Sequence, residues 1–255
     1  MDFWANCKNM KKIKNRKIEG EIIYGVHSII EMLKAGRRKL ISLYTTKPLP
    51  KNWDRLKRYL PKHVPNIQYV DRHKLSSIAG SAEHMGVVAF VTHFKYQKNI
   101  FESKKSPFIL LLDSIQDVHN LGAILRSAYC TGVDGVVLLR KGSAPLSPAA
   151  IKASAGLSEH LNIYLAPSLK SAVIELKKCD YNLYMTVVGK GQNAMEIDYK
   201  KPLCLVIGNE ATGISKDILK EGELVTLPER SGTESSFNAS VAAGIFLFLI
   251  SQKVS

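Results

Sequence analysis

Leu203-Cys204-Leu205-Val206-Ile207-Gly208-Asn209-Glu210-Ala211-Thr212-Gly213 begins as an apolar, β-prone run and stops at a glycine. A carboxylate follows two residues after Gly208, and a second glycine stands at Gly213. A second short apolar run, Leu224 to Leu227, ends at Pro228. A polar loop then enters an apolar helix through Ser235-Ser236-Phe237-Asn238. Two strand ends and one helix start are thus loaded with Gly, Glu, Ser and Asn. In open α/β sheets, ligands bind where strands end and helices begin, so chemistry is expected here. The spacing G-x-x-x-x-G also occurs in phosphate-binding loops, which continue with Lys-Ser or Lys-Thr. Here Ile214-Ser215 follows, which argues against a nucleoside triphosphate site. No G-x-G-x-x-G follows a strand, which argues against a dinucleotide site.

Outward from this stretch the chain alternates strands and helices, the pattern of a mostly parallel sheet. Strands are expected at Phe108 to Leu112, Val136 to Leu139, Leu161 to Leu165 and Leu183 to Val188. Helices are expected at Leu121 to Tyr129, after Ser147-Pro148, at Ser168 to Lys178, at Ser215 to Lys220 and from about Ser236 to Gln252. Upstream, residues 21–93 read as a smaller α/β unit, with helices His27 to Lys34, Trp53 to Leu60 and Arg72 to Ala79 between strands. Residues 94–107 read as a linker, residues 1–20 as a flexible basic arm, and residues 108–255 as the second domain.

Charge is divided sharply. Residues 1–105 carry 22 Lys or Arg against 8 Asp or Glu, while residues 106–255 carry 14 of each. All of the net charge of +14 therefore lies in the first part, the footprint of a polyanion partner such as nucleic acid. The longest apolar run, Val241 to Ile250, is far short of the roughly 20 residues a membrane-spanning helix needs. No membrane span and no secretory signal are expected. Cys7, Cys130, Cys179 and Cys204 lack the C-x-x-C spacing of a metal site, and His27, His63, His73, His84 and His93 are scattered. Buried reduced thiols in a cytoplasm and no metal are the expectation.

Three constellations could carry chemistry. In Asn120-x-Gly122-x-x-x-Arg126, the glycine and arginine share a helical face and Asn120 sits near the helix start. The plain alternative is a capped amphipathic helix with one exposed arginine. In Gly208-x-Glu210-x-x-Gly213, Glu210 could simply cap the helix from Ser215. In Ser235-Ser236-Phe237-Asn238, a serine could be an ordinary N-cap, or Ser236 and Asn238 could offer polar groups at the positive end of a helix.

Taken together, in this order and spacing, the three resemble the motifs of the SpoU (TrmH-type) RNA ribose 2′-O-methyltransferases of the SPOUT superfamily. The resemblance covers about Phe108 to Lys253. Tyr24-Gly25-Val26-His27-Ser28-Ile29 and Gly86-Val87-Val88-Ala89 resemble the small substrate-binding domain of that family, which is similar to certain ribosomal RNA-binding proteins. Phe237 stands where the family usually has Leu, and the loop Glu229 to Glu234 is charged and slightly long. The resemblance implies a trefoil-knotted α/β fold and a homodimer. It also implies methyl transfer from S-adenosyl-L-methionine to a ribose 2′-hydroxyl, most closely that of a guanosine in 23S rRNA. tRNA ribose methylation and a non-catalytic RNA- or ribosome-binding role are the alternatives. It implies further that Arg126 clamps a phosphate or assists proton removal, and that Asn120, Glu210, Ser236 and Asn238 orient Arg126 and the ribose. The backbone at Gly208, Leu227 and Phe237 would wrap the cofactor.

Overall fold

Two sheets divide the chain. The computed structural model describes residues 20–63, 67–105, 107–228 and 236–254. Residues 1–19 of the basic arm, Cys7 among them, the loop Glu229 to Glu234 and Ser235 lie outside the described residues.

The first sheet is built from β1 (Glu21–Tyr24), β2 (Leu40–Thr45), β3 (Ile67–Tyr69) and β4 (Val87–Val91), in the order β1-β4-β2-β3. β4 runs antiparallel to β1 and β2, and β3 is parallel to β2. Helices α1 (Val26–Ala35), α2 (Trp53–Lys57) and α3 (Arg72–Ala79) accompany it. α2 is shorter than the expected Trp53 to Leu60. α1 and α3 stop at Gly36 and Gly80, both left-handed, where glycine carries no Cβ penalty.

The second sheet has seven strands: β5 (Phe108–Leu112), β6 (Gly135–Leu139), β7 (Ile163–Ala166), β8 (Asn182–Thr186), β9 (Gln192–Asn193), β10 (Leu203–Ile207) and β11 (Glu223–Thr226). Their order is β7-β6-β5-β10-β8-β11-β9 and every pairing is parallel. β5, β6 and β10 are buried at every residue. This explains their continuous apolar runs, since a parallel sheet is covered on both faces. The covering helices are α4 (Val118–Cys130), α5 (Pro148–Ala153), α6 (Leu169–Lys178), α7 (Lys216–Leu219) and α8 (Ala239–Val254). The two-residue strand β9 and a 3-10 turn at Leu157–His160 carry too little pattern to be read from sequence. The connection from β11 to α8 passes through residues 229–235, so the expected threading of the last helix depends on a path outside the described residues.

Two expectations change. α4 begins at Val118, not near Leu121, because the Asp117 carboxylate accepts from His119 N (2.8 Å) and caps it one turn earlier. Among the described residues Cys130 is exposed, Cys179 half-buried and Cys204 fully buried. The linker segment packs against the second sheet. Gln97 N donates to Ile163 O (2.8 Å) at the edge strand β7, and buried Phe101 fills the space over Gly135, where a Cβ would lie 2.5 Å from the ring.

The two units are locked together by charge. The fully buried Arg38 side chain reaches Glu21 (2.7 Å) in its own unit and Glu159 (2.9 Å) across the boundary. Arg37 donates to Leu161 O (2.7 Å), and His160 meets Glu31 (3.0 Å). Burial pushes the Glu159 carboxyl above the usual carboxylate range, and the neighbouring Arg38 opposes that rise. Gly156 makes the close approach possible. A Cβ there would lie 2.7 Å from Ser28 Cα of α1.

Candidate active site

The C-terminal ends of β8, β10 and β11 converge with the start of α8 around a cleft of about 400 Å³. β10 delivers Gly208 into a tight loop. A Cβ on Gly208 would sit 2.5 Å from both Gly213 C and Ile214 N, so only glycine lets the loop fold back on the strand. Asn209 and Gly213 close it with reciprocal backbone hydrogen bonds of 3.2 and 3.0 Å. Gly213 sits at φ 68°, in the left-handed region. The Asn209 side chain accepts from Ala211 N (2.9 Å) and Thr212 N (3.1 Å), and donates to Ser114 O (2.7 Å) in the loop after β5. Asn209 therefore braces the loop from inside and anchors it to the neighbouring strand end.

Glu210 does not cap the helix at Ser215. Its carboxylate accepts from Gln116 N (3.3 Å), Asp117 N (3.4 Å) and Asn120 Nδ2 (3.2 Å), all at the entry of α4. A carboxylate there is favoured by the unpaired N–H groups and the positive end of the helix. Glu210 also lines the cleft, so one side chain ties the first motif to the second. Asn120 thus faces Glu210 from the first turn of α4 and is not its cap.

Gly122 serves packing. A Cβ on it would lie 2.4 Å from Ala153 Cβ and 2.6 Å from Ala150 O, so this glycine lets α5 lie against α4. Arg126 is exposed, one turn further on, and makes no ion pair among the described residues.

Gly208, Leu227, Ser236 and Phe237 all line the cleft. Leu227 is buried and Phe237 is 43% exposed at the mouth. Asn238 caps α8, with Oδ1 accepting from Ser240 N (2.9 Å) and Ser240 Oγ (2.7 Å). The cap is therefore Asn238, and α8 starts at Ala239 rather than near Ser236. Asn238 and Arg126 are not brought into hydrogen-bonding contact with Asn120 or Glu210 among the described residues. Sequence reasoning missed Thr186 to Val188 at the end of β8 and Phe246 of α8, which complete the cleft wall. It also missed Asn209, whose place between Gly208 and Glu210 was the available signal. Among the described residues no group of three or more His, Cys, Asp or Glu is placed to hold a metal ion.

A cleft at strand ends, floored by a glycine loop and joined to a polar helix start, is the form of a small-molecule site in an α/β sheet, and it is joined here to a basic unit. Residues 107–248 match the SpoU rRNA Methylase family, and residues 22–97 match the RNA 2′-O ribose methyltransferase substrate binding family. The chain belongs to the SpoU rRNA methylase family. It is 33% identical over 240 residues to the uncharacterized tRNA/rRNA methyltransferase slr0955 of Synechocystis, covering 90% of this chain and 62% of that protein. It is also 33% identical over 240 residues to the 23S rRNA (guanosine-2′-O-)-methyltransferase RlmB of Photorhabdus laumondii, covering 89% of this chain and 96% of the relative. The fold matches the SpoU methyltransferase AviRb of Streptomyces viridochromogenes, with a TM-score of 0.77 and 22% identity over 94% of this chain and 93% of that one. No helix among the described residues is long and apolar enough to cross a membrane.

Proposed function

We propose that this chain is an S-adenosylmethionine-dependent RNA ribose 2′-O-methyltransferase acting on a guanosine of 23S rRNA. The observation that carries the reading is Glu210, which lines the cleft and at the same time holds Asn120 at the start of the helix bearing Arg126. Cofactor cleft and acceptor helix are therefore one braced unit.

The cleft suits the cofactor. Its size falls in the range of about 300–1,000 Å³ typical of ligand sites. Ile207, Leu227 and Phe246 offer apolar walls for an adenine, and the Gly208 and Leu227 strand ends offer backbone groups for its polar edge. When bound, S-adenosylmethionine supplies an activated methyl group. The chain then has two tasks. It must align the ribose hydroxyl with the donor, which is worth roughly 7–11 kcal/mol. It must also manage one proton, worth about 10²–10⁴-fold. Arginine is effectively always protonated, so Arg126 acts as a phosphate clamp that fixes the ribose. Asn120 and Glu210 set the attitude of its helix, while Ser236 and Asn238 bound the acceptor side.

In this reading residues 21–93 hold RNA, residues 94–107 join the units, and residues 108–255 carry out methyl transfer in a trefoil-knotted homodimer in the cytoplasm. Support for the dimer comes from α8, which is apolar nearly all round and leaves Val241 and Phe248 about half exposed. The test is to map 2′-O-methyl groups in rRNA and tRNA from cells with and without this protein. One guanosine of 23S rRNA should lose its methyl group. Loss from tRNA instead would reassign the substrate, and no loss anywhere would refute the activity.

A further inference from the structure

We propose that the cleft between the small unit and α5 is a second RNA subsite, which holds an unpaired nucleotide close to the one that is methylated. The inference rests on the RNA-methylation reading above and extends it to a place that the three motifs do not touch.

The cleft has a volume of about 670 Å³. Its walls come from the β1–α1 turn, the segment after β2, the turn before β4, and α5 of the second unit. Lys47, Lys51, Arg72 and Lys152 line it, and no Asp or Glu does. Lys152 is paired with Glu83 at 2.6 Å. The other three have no carboxylate partner among the described residues. The floor between the cations is apolar, formed by Val26, Pro50, Met85 and Ala155. Met85 is 63% exposed.

A third feature points to an anion. α1 enters the cleft at Gly25, which has no side-chain cap, and no acidic residue stands in the first turn. Gly25 has φ 88° and ψ 138°, a conformation costly for any residue with a side chain. The start of a ten-residue helix thus opens, uncapped, onto a cationic rim. Beside the rim, Lys47 Nζ lies 4.6 Å from the centre of the exposed Tyr69 ring, a cation over an aromatic face. Apolar floor, cationic rim, open helix start and neighbouring aromatic together fit a nucleotide. Its base covers the floor, its phosphate meets the rim, and the next base has a ring to stack on, as in single-strand binding sites.

The cleft is also mechanically close to the acceptor helix. α5 presents Lys152 to the cleft and its Ala150 and Ala153 to Gly122 of α4. Packed helices lie about 8–10 Å apart, and α5 touches both the cleft and α4. A strand held in the cleft is thereby placed to bring its neighbour to Asn120 and Arg126.

The test uses the full chain, S-adenosylmethionine and the 23S rRNA substrate, with the variants Met85→Glu and Lys47→Ala/Arg72→Ala. All three positions are exposed, and melting temperature checks their folding. KM for RNA should rise tenfold or more in each variant, with kcat and cofactor affinity unchanged. In the double variant the slope of log affinity against log salt should fall by about 0.7 for each phosphate that is no longer neutralised. RNA carrying 4-thiouridine should crosslink to peptides containing Val26 or Met85. KM within twofold of wild type in folded variants, or crosslinks confined to other peptides, would overturn the proposal. If the wild type methylates no RNA, the functional reading fails, and filter binding of the same RNA to these variants still decides the subsite.

Discussion

Replacing Gly208 with alanine adds one carbon at the tightest point of the candidate cofactor loop. That carbon would lie 2.5 Å from Gly213 C and Ile214 N and 2.9 Å from Gly213 Cα, against 3.4 Å or more in ordinary contact. All three neighbours are backbone, so no side chain can swing aside, and the loop itself must open by almost 1 Å. Overpacking of this kind costs about 1–3 kcal/mol, and each kcal/mol lowers the melting temperature of a domain this size by about 2–4 °C. Opening the loop also moves Asn209, whose hydrogen bonds to Ala211, Thr212 and Ser114 fix the cleft floor. We expect S-adenosylmethionine affinity to fall at least tenfold, about 1.4 kcal/mol. Gly244→Ala is the control. Its Cβ would meet only Ser127 Oγ at 3.6 Å, and alanine is favoured over glycine in a helix by roughly 0.5–1 kcal/mol. Calorimetric titration with the cofactor and a thermal melt of each variant decide the matter. Gly208→Ala with wild-type melting and wild-type cofactor affinity would show that the loop is not packed as described.

Arg126→Ala should melt within about 0.5 kcal/mol of wild type, because Arg126 is exposed and unpaired among the described residues. Its single-turnover methylation rate should nevertheless fall roughly 10²-fold or more, with Arg126→Lys nearly as poor because a point charge does not replace a planar fork; a wild-type rate would remove Arg126 from the mechanism. Arg38→Met strands the buried Glu159 carboxylate and should cost about 3–5 kcal/mol in chemical denaturation, while Arg38→Met/Glu159→Leu should recover most of it; equal stabilities of the single and double variants would show that the pair carries no such penalty. Burial, helped by nearby Arg72, holds His84 below its ordinary value, and its Nδ1 accepts from Gly86 N (3.0 Å). The folded state thus prefers neutral histidine, so the His84 contribution is complete above about pH 6.5 and is lost as pH falls below it. Wild type should lose more stability than His84→Gln between pH 7.5 and 5.5, and parallel losses would count against this.

Sequence alone determined the alternation of strands and helices, because buried parallel strands must be continuous apolar runs and their helices must carry an apolar stripe. The run Leu203 to Ile207 ending at Gly208, and the Ser147-Pro148 helix start, were legible for that reason. Sequence also concentrated the positive charge in residues 1–105 and supplied three motifs whose order identifies the family. Element ends were less legible where caps decided them. Asp117 rather than Asn120 starts α4, and Asn238 rather than a serine starts α8. Tertiary structure decided the rest, through contacts between residues far apart in the chain. Glu210 reads as a local cap in sequence, yet it closes the start of a helix about ninety residues earlier. Gly122 shares a helical face with Arg126 in sequence, and only the fold shows that what approaches it closely is α5. Arg38 is only one of the 22 Lys or Arg of residues 1–105 in sequence, yet its side chain is fully buried between two carboxylates from different units. Local pattern records only which face of an element is apolar. Which distant backbone or charge meets that element is fixed when the sheets pack, and the cofactor cleft and its braces are made of such meetings.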